Sequence, residues 1–200
     1  MQLCFYIDQT RCTGCYTCIV ACKDWNNLPA GPASWIHVTT LERGKFPNTF
    51  VAFIPIHCFH CAKPLCAEIC PTGAISKREE SGIVLVDQEK CLGKENCAMP
   101  CKEVCPYNAP QFRDEEHSKM EKCNFCTERW QKNQKPICVE ACRTYALDAG
   151  PIDELIAKYG DIKEAEGFIY STIACPCVLF KSKKQVSICS LQPLQKNSFF

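Results

Sequence analysis

Sixteen cysteines in four groups of four constrain this chain more than any other feature of its sequence. The 200 residues include 20 cysteines, and within a group most neighbouring cysteines are separated by two to four residues. Such tight spacing is typical of metal sites, whereas disulfide frameworks disperse their cysteines along an exported chain. The N-terminus has no basic n-region and is expected to be a strand rather than a signal peptide. We therefore predict metal binding rather than disulfides.

The first group has the C-x₂-C-x₂-C-x₃-C spacing of bacterial ferredoxins, whose fourth cysteine binds the neighbouring cluster. Zinc sites instead use two separated pairs. Four groups of four therefore predict four [4Fe–4S] clusters. A zinc-binding interaction protein is the alternative from another functional class. The groups are Cys12, Cys15, Cys18 and Cys22; Cys58, Cys61, Cys66 and Cys70; Cys91, Cys97, Cys101 and Cys105; and Cys123, Cys126, Cys138 and Cys142.

The third group departs from the ferredoxin spacing. Lys94 stands where the second cysteine would fall, and five residues separate Cys91 from Cys97. All four cysteines are present, so we still predict a cubane cluster there. The four cysteines outside the groups receive no functional role, and the one in the apolar N-terminal run is predicted to be a buried thiol. They are Cys4, Cys175, Cys177 and Cys189.

Composition supports a fold that depends on metal. Without cysteine the hydrophobic fraction falls from 46% to about 36%, which is low for a well-packed core. The 23 basic and 22 acidic residues nearly cancel, so no nucleic-acid partner is indicated. Bound clusters would make the chain acidic, and docking is then expected through local basic residues around the fourth group. The candidates are Lys119, Lys122, Arg129, Lys132 and Lys135.

Apolar runs and turn residues predict an α+β fold of two ferredoxin-like modules, each binding two [4Fe–4S] clusters, with short hairpins and short helices. Strands are predicted at residues 35–42 and 49–56, and a hairpin is predicted between residues 75 and 86. Short helices should follow Cys18 and Cys66. The only longer helix is predicted at residues 153–159, capped by Asp153 and ended by Gly160. Residues 171–200 are predicted to be a poorly packed tail or a docking segment. The longest apolar stretch, residues 50–56, is too short to span a membrane.

Four such motifs in one chain, the second reading CFHCAKPLCAEICPTG from Cys58, resemble the four-cluster iron–sulfur (beta) subunits of the molybdopterin oxidoreductases. These subunits serve enzymes of the dimethyl sulfoxide reductase, polysulfide reductase, nitrate reductase and formate dehydrogenase type. The resemblance covers residues 1 to about 168, and residues 152–160 resemble the helix that closes the dimethyl sulfoxide reductase type. The lengthened third motif faintly resembles the small subunit of pyrogallol–phloroglucinol transhydroxylase.

The resemblance implies that motif one pairs with motif four and motif two with motif three. The modules would then be residues 1–56 plus 106–170 and residues 57–105, with 171–200 outside both. The cluster of motif one would lie beside the pterin subunit, with cluster 4 at the far end. The implied ligands are Cys12, Cys15, Cys18 and Cys142 for cluster 1; Cys123, Cys126, Cys138 and Cys22 for cluster 2; Cys58, Cys61, Cys66 and Cys105 for cluster 3; and Cys91, Cys97, Cys101 and Cys70 for cluster 4.

The function implied is electron transfer in an anaerobic oxidoreductase, with no catalytic residue in this chain. The implied partner is a molybdenum- or tungsten-pterin catalytic subunit in a hetero-oligomer, with a membrane anchor or a soluble redox partner as a further component. A polyferredoxin serving a hydrogenase-type complex is the alternative. His57 and His60 are expected to bond a cluster sulfur or the backbone. The expected location is the cytoplasm, which suits free thiols, or export in folded form with the catalytic subunit.

Overall fold

Short strands and short helices alternate along residues 1–184, the part of the chain that the computed structural model describes. The architecture is α+β, as the sequence predicted. The strands are Leu3–Asp8 (β1), Ile36–Lys45 (β2), Asn48–His57 (β3), Ile75–Lys77 (β4), Val84–Val86 (β5), Leu147–Pro151 (β6) and Val178–Lys181 (β7). The helices are Thr17–Trp25 (α1), Leu65–Glu68 (α2), Lys94–Cys97 (α3), Pro100–Glu103 (α4), Thr127–Trp130 (α5), Ile137–Glu140 (α6) and Ile152–Tyr159 (α7).

The N-terminal strand β1 is the centre of a three-stranded sheet. It pairs antiparallel with β6 and parallel with β7, and all six of its residues are buried. Because successive side chains point to opposite faces, Phe5 belongs to the main core while Tyr6 packs against α7, where its ring stacks on Tyr159 at 3.7 Å. Strand β1 therefore contributes side chains to the cores on both faces of the sheet.

The strand β7 differs from the poorly packed tail predicted after residue 171. Val178, Leu179 and Phe180 are buried and pair with β1, and Ala174 is buried before them. A run of three apolar residues is too short to show a period, so no local pattern predicts that it completes a sheet. Residues 185–200, with Cys189, lie outside the described part of the chain.

Two antiparallel hairpins form where the sequence predicted them, β2 with β3 and β4 with β5. The first is longer than predicted, since pairing continues to Lys45 and Asn48 and leaves a two-residue turn. The helix α7 ends at Gly160 as predicted, where φ is 85°. Its N-cap is Pro151, however, and no side chain caps it, so the cap assigned to Asp153 is wrong.

The longest helix is α1, with nine residues, so the prediction that only α7 would be long is wrong. Helix α1 carries Cys18 and Cys22 one turn apart and lies against α6, which carries Cys138. Within residues 1–184, every helix falls short of the length and hydropathy needed to cross a membrane. Helices α1 and α6 thus position three of the grouped cysteines close to one another.

Candidate metal centres

Cysteines of motifs one and four line one cavity, called site 1. It is lined by Cys12, Cys15, Cys18 and Cys142. The loop that carries the first three turns at Gly14, where φ is 67° and a Cβ atom would lie 2.5 Å from the Phe53 ring. Only glycine tolerates both this positive φ and so close a neighbour. Glycine at position 14 therefore lets the loop lie directly against β3.

The remaining cysteines of motifs one and four form a second group, called site 2, made of Cys22, Cys123, Cys126 and Cys138. All four are buried. Burial raises the pKa of Cys22 to about 12, and the nearby Cys126 thiol adds to the effect. Burial likewise raises the pKa of Cys138, with Cys123 and Cys22 adding to it. These mutual effects require the four thiols to lie close together.

Motifs two and three contribute the cavity called site 3. Its sulfur atoms come from Cys58, Cys61, Cys66 and Cys105. Its other walls are apolar and aromatic residues together with one cation, Lys122. Burial raises the pKa of Cys66 to about 12. Site 3 is therefore a pocket in which an unmetallated thiol does not ionise at neutral pH.

The cavity called site 4 is lined by Cys70, Cys91, Cys97 and Cys101. The lengthened loop of motif three brings Cys97 into the cavity, whereas Lys94, which stands at the missing cysteine's position, points elsewhere. Its Nζ donates hydrogen bonds to the carbonyls of Arg113 and Asp114, at 3.1 and 2.9 Å. The irregular motif thus still supplies three sulfurs, and the lysine secures the neighbouring loop.

The four sites follow one another in a row. Four Cys-x₃-Cys segments place their two cysteines in neighbouring sites, because one helical turn moves a side chain about 6 Å along the axis. They are residues 18–22, 66–70, 101–105 and 138–142, whereas both cysteines of the segment 97–101 line site 4. Burial is the main cause of the raised pKa values of Cys138, Cys123 and Cys66. Each is raised further by a thiol of the adjoining site: Cys18 of site 1, Cys58 of site 3 and Cys101 of site 4, respectively. These influences indicate that site 1 neighbours site 2, site 2 neighbours site 3, and site 3 neighbours site 4.

Four converging thiols at each site fit a metal centre with only sulfur ligands. Within residues 1–184 every cysteine is free, so no disulfide competes for these sulfurs. A metal binds the thiolate, and a bound cation would compensate the burial that raises these pKa values. Tetrahedral sulfur sites suit both zinc and iron–sulfur clusters. The geometry alone leaves this choice open.

The comparison with known proteins decides between these metals. Residues 49–152 match the family described as a 4Fe-4S dicluster domain. The sequence is 43% identical over 166 residues to the B component of anaerobic dimethyl sulfoxide reductase from Escherichia coli, covering 79% of this chain and 78% of the relative. The protein belongs to the iron–sulfur subunits of the molybdopterin oxidoreductases. It is an electron-transfer subunit with four [4Fe–4S] clusters, and it is not itself the catalytic subunit.

Two further relatives of this iron–sulfur subunit come from other complexes. The B component of sulfite dehydrogenase from Allochromatium vinosum is 36% identical over 173 residues, covering 76% of this chain and 70% of the relative. The electron transfer subunit of thiosulfate reductase from Salmonella typhi is 38% identical over 149 residues, or 74% of each chain. The resemblance inferred from the motifs is thereby confirmed.

Each site of this iron–sulfur subunit also has a backbone N–H directed at one of its sulfur atoms. Such donors favour the more negative state of a cluster and raise its reduction potential. Three of the donors follow their ligand by two to four residues, whereas Met120 lies 29 residues after Cys91, so the spacing of the cysteines does not reveal them. They are Ala146 N to Cys142 Sγ at 3.3 Å, Phe125 N to Cys123 Sγ at 3.4 Å, Ala109 N to Cys105 Sγ at 3.5 Å and Met120 N to Cys91 Sγ at 3.4 Å.

The two histidines beside motif two are buried and bonded to the backbone, one of the two arrangements predicted. His57 donates from Nδ1 to the Cys58 carbonyl at 3.0 Å, and His60 accepts at Nδ1 from the Val84 N–H at 3.0 Å. Burial lowers the pKa of His57 to about 4 and also lowers that of His60. Both rings are therefore neutral at neutral pH and act as packing groups of the core.

Two of the predicted docking cations are not on the surface. Lys122 is 4% exposed and Arg129 is 6% exposed, so neither can present its charge to a partner. Arg129 forms an ion pair with Glu140 and lies over the ring of Trp25 at 4.6 Å. The positions of Lys122 and Arg129 in the sequence did not show that the fold buries them.

The cysteines outside the four groups pack as ordinary thiols where they are described. Cys4 on β1 and Cys177, the residue before β7, are buried in the smaller core beneath α7. Burial raises the pKa of Cys177 to about 11 and raises that of Cys4 as well. Cys4 is thus buried, as predicted, and a buried neutral thiol is a poor nucleophile.

Proposed function

We propose that this chain carries single electrons along four [4Fe–4S] clusters, at sites 1 to 4, between a molybdopterin catalytic subunit and a second redox partner. The row of four sulfur-lined sites is the observation that carries the proposal. The names of the relatives support the catalytic partner, since they are subunits of dimethyl sulfoxide reductase, sulfite dehydrogenase and thiosulfate reductase. None of these relatives is a hydrogenase subunit.

The proposed ligands are the four sets implied by the resemblance, one for each site. The cavities at sites 1, 3 and 4 support this assignment, because each is lined by three cysteines of one motif and one cysteine of the paired motif. The effect of Cys22 on the pKa values of Cys123 and Cys138 supports the same arrangement at site 2, where burial is the larger cause.

A bound iron–sulfur cluster supplies one-electron redox chemistry with little structural change. The residues of this chain do the rest. Thiolates fix the position of each site, backbone N–H groups favour extra negative charge on the sulfurs, and apolar walls such as Val38 at site 1 and Phe112 at site 4 exclude water. Water exclusion and hydrogen bonding are the means by which a protein sets each potential.

The proposed modules are residues 1–56 with 106–170, around sites 1 and 2, and residues 57–105, around sites 3 and 4. The sharing of motifs within each pair of sites supports this division. Residues 171–181 would then join the modules, since Cys177 N donates to the Phe59 carbonyl while Val178 pairs with β1.

The catalytic subunit is proposed to dock beside site 1. Tyr16, Val20 and Tyr145 around this site are exposed, at 48, 65 and 74%, and form an apolar surface near its sulfurs. The second partner, a membrane anchor or a soluble redox protein, would approach site 4, where Ile69 and Leu92 are exposed. The complex would work in the cytoplasm or be exported folded.

Replacement of Cys142 tests the proposed ligand sets. If Cys142 belongs to site 1, Cys142→Ser and Cys12→Ser should change or remove the same component of the electron paramagnetic resonance (EPR) spectrum, although the two residues lie in the last and the first motif. Serine at position 142 should leave the component of site 2 intact. Cys123→Ser is the matched comparison, because it lies in the same motif as Cys142 and is assigned to site 2. If Cys142→Ser instead reproduces the spectrum of Cys123→Ser, the pairing and the order of sites are wrong.

A further inference from the structure

Lys122 is the only buried lysine among residues 1–184, with 4% of its surface exposed. It lies immediately before Cys123 of site 2 and forms part of the wall of site 3. Its Nζ donates hydrogen bonds to the carbonyl of Val84, on β5, and to that of Cys123, the latter at 3.1 Å. These bonds fix the amino group at the junction between the two sites.

The charge of Lys122 has no carboxylate to balance it. No aspartate or glutamate of the described chain lies within 4.0 Å of its Nζ, whereas the other buried cation, Arg129, is paired with Glu140. Burial of an unpaired charge is costly, and buried charges in proteins are therefore paired with an opposite charge. The balancing negative charge must therefore come from the site that Lys122 lines.

The side chain of Lys122 lines site 3 together with Cys58, Cys61, Cys66 and Cys105. Four thiolates around an oxidised cluster core of about +2 leave a net charge of about −2 at such a site. An anionic cluster there would supply the partner that the protein does not.

We propose that Lys122 is the counter-ion of the cluster at site 3 and holds its reduction potential above the value that the cavity would give without this charge. The inference rests on the proposed ligands of site 3. Reduction adds one electron and hence one negative charge to the site. A fixed cation in a water-excluded wall stabilises that charge more strongly than an exposed cation would. Lys122 is thus a positioning and tuning residue rather than a ligand.

The test is an EPR-monitored redox titration of the full-length holoprotein, with Lys122 replaced by Met, Gln or Arg. Lys122→Met keeps an unbranched apolar stem without the charge, Lys122→Gln keeps a polar end group, and Lys122→Arg keeps the charge. The matched control is Lys63→Gln, which removes the same charge from an exposed position in the site 3 loop, between Cys61 and Cys66.

The Met and Gln variants should shift the midpoint potential of the site 3 component to a more negative value. The Arg variant should retain the original potential, and Lys63→Gln should shift it much less. If either neutral variant loses iron, the loss should be confined to site 3 and restored by Arg. The proposal is overturned if a neutral variant keeps its iron and its site 3 potential. It is also overturned if all clusters shift equally, or if the Arg variant loses its clusters as the neutral variants do.

Two cysteine variants separate failure of this inference from failure of the proposed ligands. Cys61→Ser and Cys105→Ser should alter one and the same spectral component, and that component is the one to follow in the titration. If the two variants alter different components, the ligand set of site 3 is wrong. If they alter the same component but its potential is insensitive to the charge at position 122, only the counter-ion role of Lys122 is wrong.

Discussion

At the scale of single residues, the lengthened motif three contains both a proposed ligand, Cys97, and a structural residue, Lys94. Cys97 lines site 4, whereas Lys94 donates to two carbonyls of the 113–118 loop. We expect Cys97→Ser to lower the iron content from about 16 per chain and to change one EPR component. Lys94→Ala should keep all its iron and lose about 1–2 kcal/mol of stability with two hydrogen bonds. Iron analysis and denaturant unfolding measure both effects. Loss of iron in Lys94→Ala alone would contradict the assignment.

Residue spacing predicted the four groups of metal-binding cysteines, whereas the sharing of cysteines between motifs was implied by the resemblance to a family. Residue spacing did not predict the surroundings of the cysteine sulfurs. The N–H donor of Cys91 comes from Met120, and the acceptor for Lys122 is Val84. Such partners are set by tertiary packing between distant segments, which a local pattern does not contain. The burial of Lys122 was missed for this reason.

At the scale of elements, the hairpins and α7 could be predicted because alternation, turn residues and a C-terminal glycine are local signals. The pairing of β7 with β1 could not, because it joins Val178 to Phe5 across nearly the whole chain. The start of α7 was also mistaken. The N-cap is Pro151, which ends the preceding strand. Asp153 therefore lies within the first turn and does not cap the helix.

One carboxylate ties these elements together. Asp148 on β6 accepts hydrogen bonds from Tyr159 and Lys158 of α7 and from Lys135, at 2.8, 3.0 and 3.1 Å. Burial alone would raise its pKa, but these donors lower the pKa of Asp148 from 3.8 to about 2. The resulting stabilisation is therefore complete above about pH 4 and is lost as the pH falls towards 2.

We expect Asp148→Asn to cost about 1–2 kcal/mol at neutral pH, since one side of the group is open to water and screens the charge. The cost should be the same at pH 8 and pH 6, because Asp148 is ionised at both. Anaerobic guanidinium unfolding of the holoprotein measures it. Asp153→Asn is the control and should cost about 0.5 kcal/mol or less, because no side chain caps α7. An equal cost for both variants would show that the three hydrogen bonds of Asp148 contribute nothing.

At the scale of the whole molecule, the metal centres and the hydrophobic core are one structure. The main core contains apolar side chains of β1 and β3 together with buried cysteines of sites 1, 2 and 3. Most of these thiols have raised pKa values because they are removed from water. The low apolar fraction of the sequence thus agrees with a core in which cysteines replace some of the usual apolar side chains. Without metal, the segments around sites 1, 3 and 4 would meet across cavities lined by unbound thiols.

We therefore expect removal of iron to unfold the chain rather than to leave an empty scaffold. Structural metal sites supply folding free energy directly, and a cavity without its occupant loses the contacts of every residue around it. Anaerobic chelation should abolish the cooperative thermal transition and most of the ordered circular dichroism. Reconstitution with iron and sulfide is the control, and it should restore both signals together. Iron-free protein that keeps native circular dichroism and melts cooperatively would contradict this dependence and would assign the stability to the three sheets alone.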